Sequence, residues 1–227
     1  MKLQYLGDSR DCFKWDYHNY LMSELNYSLL NIALMMTPND KTTQGKTDSN
    51  TYKAHCEAIH GFCRELKESK DKDIEMIKLL PARTGAKYKV ELHKNATQIT
   101  NDNRIDYFSN ITHETKQVFF LDPDNGFEPE KKFSNKHVLY SDIERILQKI
   151  SDQTVVSVFQ YFRRIHFPDD FMRIRDRLHI ENATAIFWHS LMFIAISKSE
   201  KTINRIREIN EKYSQEPAIK GNLLNCA

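Results

Sequence analysis

Glycine is scarce in this chain of 227 residues: there are 6, where ordinary usage of roughly 7% would give about 16. A glycine-rich phosphate loop needs several residues without Cβ in one short stretch, so none is expected. Nor is there an apolar run of about 18 residues, which excludes a membrane-spanning helix. The opening Met1-Lys2-Leu3-Gln4-Tyr5 lacks the apolar stretch of a secretion signal. The scattered cysteines Cys12, Cys56, Cys63 and Cys226 make no disulfide framework, so reduced thiols and a cytoplasmic location are expected. An excess of one charge is missing too. There are 33 basic against 31 acidic residues, a formal charge of +2, and a pI near 8.2 falls short of the value above about 9 that marks a dedicated nucleic-acid-binding domain. What remains, 40% hydrophobic and 28% charged residues, suits a globular protein with one core. A single α/β domain over 1–213, followed by a flexible tail at 214–227, is expected.

Short apolar runs alternate with amphipathic stretches. Strands are predicted at 28–36, 74–80, 118–121 and 154–159, with a closing pair at 184–188 and 191–197. Helices are predicted at 11–25, 51–67, 140–150, 169–179 and 199–213, and 88–111 reads as mostly helical. Ser141 and Glu144 have capping-box spacing. The closing runs are too near each other for anything but an antiparallel hairpin. The expected fold is Rossmann-like α/β: a mainly parallel sheet flanked by helices, ending in an antiparallel hairpin as class I methyltransferases do.

In an open α/β sheet, ligands bind outside the carboxyl ends of the strands. Polar clusters fall at those ends: Pro38, Asn39 and Asp40 followed by Gly45; Asp122-Pro123-Asp124-Asn125-Gly126; and Gln160 followed by Arg163 and Arg164. Two acids directly after four large apolar residues would cost desolvation unless a cation or donors met them. A further dense cluster, Gly7-Asp8-x-x-Asp11-x-x-Lys14-Trp15, opens the first helix, with Asp11 as its expected N-cap and Lys14 on the same face. Cys56, His60 and Cys63 share a helix face with Ile59 and Phe62, which reads as core rather than zinc. Arg163, Arg164, Arg173, Arg175 and Arg177, with Lys131, Lys132 and Lys136, could form a phosphate-contacting rim.

These motifs, together with Ser134-x-Lys136-His137 and Gln160-x-x-x-Arg164, resemble those of a bacterial protein family over most of the chain. More remotely, the layout is similar to the J-type ribosomal RNA adenine-N6 methyltransferases, which share an Asn-x-x-Asp-x-x-x-Lys-like helix start and an Asp-Pro-Pro-Tyr motif after the fourth strand. That resemblance implies S-adenosylmethionine as cofactor, nucleic acid as partner, and Asp122 as acceptor for an adenine amino group. This chain has Asp124-Asn125 where that motif has Pro-Tyr.

The expected site is therefore Asp122, Asp124, Lys14 and Lys136 for chemistry, Gly7, Asp8, Asp11, Pro38, Asp40 and Gly45 for the cofactor, and Asn125, Gln160 and Arg164 for substrate. A different class stays open: a nuclease or phosphodiester hydrolase in which Asp8, Asp40, Asp122 and Asp124 hold Mg or Mn. A non-catalytic binding module on the same fold is the third.

Overall fold

The computed structural model describes residues 1–39, 52–111, 115–215 and 222–224. Its centre is a seven-stranded sheet in the order β2-β1-β3-β6-β8-β7-β9. The parallel part comprises β1 (Leu29–Leu34), β2 (Lys89–Leu92), β3 (Gln117–Asp122) and β6 (Val155–Tyr161). β7 (Ala183–Trp188) and β8 (Leu191–Ile196) form the hairpin, and β8 inserts antiparallel between β6 and β7. β9 (Asn222–Leu224), in the stretch read as a tail, pairs antiparallel with β7. A small parallel ladder joins β4 (Gly126–Phe127) to β5 (His137–Val138). A mainly parallel core in which β8 folds back between β6 and β7 is a Rossmann-like α/β sheet closed by an antiparallel hairpin.

Helices cover both faces. α1 (Ser9–Leu25), α2 (Ala58–Glu68), α3 (Leu80–Thr84) and α7 (Glu200–Gln215) lie on one; α4 (Arg104–Ser109), α5 (Tyr140–Lys149) and α6 (Phe167–Leu178) lie on the other. Alternation along the strands feeds two cores. Leu30, Ile32, Val118 and Phe120 face α1 and α7, whereas Ala33, Phe119, Leu121 and Val156 face the second helix layer.

Several expectations are corrected. The run at 74–80 is a 3-10 helix, Ile74–Leu79, not a strand. Its apolar residues recur every third position, the spacing that stacks side chains in a 3-10 helix. The missing strand is β2, inside the stretch read as helical; its residues are alternately exposed and buried, as at a sheet edge. The N-cap of α5 is Leu139 rather than Ser141, and the carboxylate of Asp142, three residues on, accepts the Leu139 N–H at 2.8 Å. Asp142 also holds the buried Arg104 of α4.

Asp16 on α1 is a buried hub. It accepts the hydroxyls of Tyr52 and Tyr213 at 2.9 and 2.8 Å and the N–H groups of His55 and Cys56 at 2.7 and 2.9 Å. Segment 52–57 and α7 are thereby fixed to α1. The Cys56–His60–Cys63 face is taken up by this packing: Cys63 is buried, and His60 accepts the Ala54 N–H.

Candidate functional site

β2 and β3 lie on opposite sides of β1, so the chain reverses direction across the sheet there. In open α/β sheets such a switch point opens the ligand crevice. A cleft lies at that end of the sheet, lined by Lys2, Tyr5, Asp8, Arg10, Asp11, Lys14, the Asp122–Asn125 turn, Phe159 and Tyr161. Its cavity volume is about 110 Å³.

The N-terminal cluster builds one wall. Gly7 turns the chain with φ +78°, and a Cβ there would lie 2.2 Å from the Cys63 carbonyl oxygen. Gly7 is thus required for the turn and for close packing on α2, not as a cofactor cradle. The turn makes Asp8, not Asp11, the N-cap of α1. Asp8 Oδ1 accepts the N–H groups of Arg10 and Asp11 at 2.9 and 3.0 Å. Asp11 sits one turn inside the helix, and its Oδ2 accepts the Gly7 N–H at 2.8 Å. The two carboxylates exchange roles in the manner of a capping box.

Lys14 ties this wall to the sheet. Its Nζ donates to Asp11 Oδ1 and to Asp122 Oδ2, each at 2.8 Å, and all three side chains are buried. Burial pulls the Lys14 pKa down, but the charges and hydrogen bonds of Asp11 and Asp122 outweigh it, so the ammonium is held more strongly than usual. The Asp11–Lys14 pair is therefore internal. Lys2 lies 3.3 Å from Asp124, which also accepts the Thr37 hydroxyl at 3.1 Å. The Met1 amine donates to the Met35 carbonyl at 2.6 Å, and burial lowers its pKa to about 6. One turn below Lys14, His18 bridges the Lys14 carbonyl and Ser157 Oγ. Burial lowers its pKa to about 3, so it serves as a neutral packing element.

Asp8 differs from its neighbours. It is 1% exposed, and its Oδ2 has no hydrogen-bond partner. Burial first, then the charge of Asp11, raises its pKa to about 6.

The structure thus brings together Asp8, Asp11, Lys14, Asp122, Asp124 and Asn125. Others fall elsewhere. Gln160 is buried on the opposite side of β6: its Oε1 accepts the Phe127 N–H at 2.8 Å and fills the space left by Gly126. It braces the ladder and lines no cleft. Side chains alternate along a strand, so Phe159 and Tyr161 face the cleft when Gln160 cannot. Lys136, Arg164 and Pro38 are exposed and outside the lining. Asp40 and Gly45 lie outside the described residues. Arg163 and Arg173, read as part of a basic rim, are both bound by the buried Asp170 at 2.7 and 3.0 Å.

Among the described residues the metal-binding alternative is not assembled. Lys14 occupies the position against Asp122 that a cation would take, and Lys2 meets Asp124. Among the described residues no group of three or more His, Cys, Asp or Glu is placed to hold a metal ion. Sequence reasoning missed Lys2, Tyr5, Arg10, Phe159 and Tyr161. Arg10 lay inside the N-terminal motif, and strand alternation pointed to Tyr161.

The sheet order, with a cleft at the carboxyl ends of β3 and β6, defines a Rossmann-like α/β domain. The chain is similar to the crystal structure of human methyltransferase-like protein 13 in complex with SAH, at 10% identity, over 90% of this chain and 88% of that one, with a TM-score of 0.38. The fold is set by the chain's own strand order and not by that likeness. No protein-family model and no curated protein matches the chain. No helix among the described residues is long and apolar enough to cross a membrane.

Proposed function

We propose that the chain is an S-adenosylmethionine-dependent methyltransferase acting on an amino group in nucleic acid. The observation that carries this reading is the placement of Asp122. The carboxyl end of β3, at the centre of the sheet, delivers a buried carboxylate into the cleft. The donor set suits the cofactor. Asp8 offers an unused acceptor, Arg10 a guanidinium, and Tyr5, Phe159 and Tyr161 aromatic surface. The start of α1 would hold its polar end. S-adenosylmethionine, when bound, supplies a methyl group on a sulfonium.

Asp122 would accept a hydrogen bond from the target amino group and so orient its lone pair. Lys14 fixes that carboxylate through Oδ2 and neutralises its charge. Phe159 and the Arg10–Tyr161 pair limit water at the same wall. Elsewhere on the surface, exposed Lys131, Lys132, Lys136 and Arg164 offer positive charge for phosphates, and Phe133, 58% exposed, and Phe162, 42% exposed, offer faces for unstacked bases.

The test is transfer of a labelled methyl group from S-adenosylmethionine to RNA and DNA. Transfer to nucleic acid that falls at least about 100-fold in Asp122→Asn, with cofactor binding retained, supports the reading. Cofactor binding with no transfer to either polymer sinks the substrate assignment. Absence of cofactor binding sinks the whole reading.

A further inference from the structure

Most of the charges lining the cleft find each other. Lys14 meets Asp11 and Asp122, and Lys2 meets Asp124. Two do not. Asp8 has no cation within ion-pair distance among the described residues, and its Oδ2 has no partner although the side chain is almost wholly buried. The guanidinium of Arg10, two residues on, acts on Asp8 through its charge but forms no ion pair with it. The guanidinium lies 5.2 Å from the Tyr161 ring centre, and Nη2 donates to the Tyr161 hydroxyl at 3.3 Å. These neutral contacts leave Arg10 without an anionic partner among the described residues. A buried carboxylate oxygen with no donor costs stability, and such a cost persists where a ligand will meet the group.

The unused pair has one sign each and lies in one cleft. We propose that Asp8 and Arg10 together receive a zwitterionic α-amino-acid group, its ammonium on Asp8 Oδ2 and its carboxylate on the Arg10 guanidinium. A nucleobase amino group is uncharged and supplies neither missing ion. The inference rests on the methyltransferase reading only for the source of the group, the amino-acid end of S-adenosylmethionine; a free amino acid offers the same chemistry. Asp11, Lys14 and Arg10 face Asp8 from α1, the Cys63 thiol from α2, and Asp122 stands beyond Lys14.

Calorimetry on the full chain distinguishes the sources. The probes are S-adenosylhomocysteine, 5′-methylthioadenosine, which keeps the nucleoside thioether but has no amino-acid end, and L-methionine. The variants are Asp8→Asn and Arg10→Gln. Asparagine is as good an N-cap as aspartate, so α1 keeps its start. Each variant is expected to bind S-adenosylhomocysteine about 10- to 100-fold more weakly, as for loss of a hydrogen bond to a charged group, with 5′-methylthioadenosine unaffected. In the wild type, affinity for S-adenosylhomocysteine should also fall below about pH 6, where Asp8 takes up its proton, and Asp8→Asn should lose that dependence. Wild-type binding of L-methionine but not of S-adenosylhomocysteine, sensitive to both variants, upholds the seat and overturns the methyltransferase reading. Equal binding of S-adenosylhomocysteine by wild type and both variants overturns the seat and leaves that reading standing. Binding of none of the probes overturns both.

Discussion

Replacing Asp8 by asparagine should make the free protein more stable at neutral pH. In the unfolded chain this carboxyl gives up its proton near the usual 3.8; in the folded chain it holds it to about 6. Between those values the folded state binds the extra proton, so stability falls as pH rises through the window, and the loss is complete above about pH 6. At 1.36 kcal/mol per tenfold change, the ratio of about a hundred corresponds to about 3 kcal/mol. The asparagine amide brings a donor that also needs a partner, which returns about 1 kcal/mol. The expected gain at pH 7 is therefore about 1–3 kcal/mol, or several degrees in Tm for a domain of this size. Urea titrations of wild type and Asp8→Asn from pH 3 to 8 measure it directly. The two curves should converge near pH 3 and separate above pH 6. Equal stability at pH 7, or a wild type that gains on Asp8→Asn as pH rises, would show that Asp8 is already satisfied in the free protein.

Removing the ammonium of Lys14 with Lys14→Met strands Asp11 and Asp122 in a buried site. A loss of about 3–5 kcal/mol in denaturant unfolding is expected, and a loss below about 1 kcal/mol would mean that water already reaches the pair. Gly7→Ala forces a Cβ against the Cys63 carbonyl at a positive φ. It should cost about 2 kcal/mol or more, read as a lowered Tm; a neutral outcome would remove the packing role given to Gly7. Gln160→Ala leaves the Phe127 N–H without its acceptor. It should cost about 1–3 kcal/mol and speed hydrogen exchange at Phe127, whereas unchanged exchange there would return Gln160 to the list of substrate contacts.

The sheet's core was legible because its strands are buried on both faces. β1, β3, β6 and β8 are near-continuous apolar runs, and β7 follows that pattern over most of its length. β2 was not, because an edge strand of four residues with Lys89 and Glu91 exposed carries too little apolar signal to stand out from a helix. The site was half legible. Residue type marked Asp8, Asp11, Lys14, Asp122 and Asp124, since acids at strand and helix ends demand partners. Geometry that depends on one bond or one register was hidden. The positive φ of Gly7 decides that Asp8 caps α1, and the pleat of β6 decides that Tyr161 rather than Gln160 looks into the cleft. That Asp122 meets Lys14, 108 residues earlier in the chain, is a tertiary fact that spacing could not supply.

A crystal structure of the chain with S-adenosylhomocysteine tests the central claim most directly. The ligand should lie in the cleft between the start of α1 and the carboxyl ends of β3 and β6, with its amino-acid end against Asp8 and Arg10. A ligand bound elsewhere on the molecule, or an unchanged cleft in a crystal saturated with it, would contradict the assignment of this cleft as a methyltransferase site.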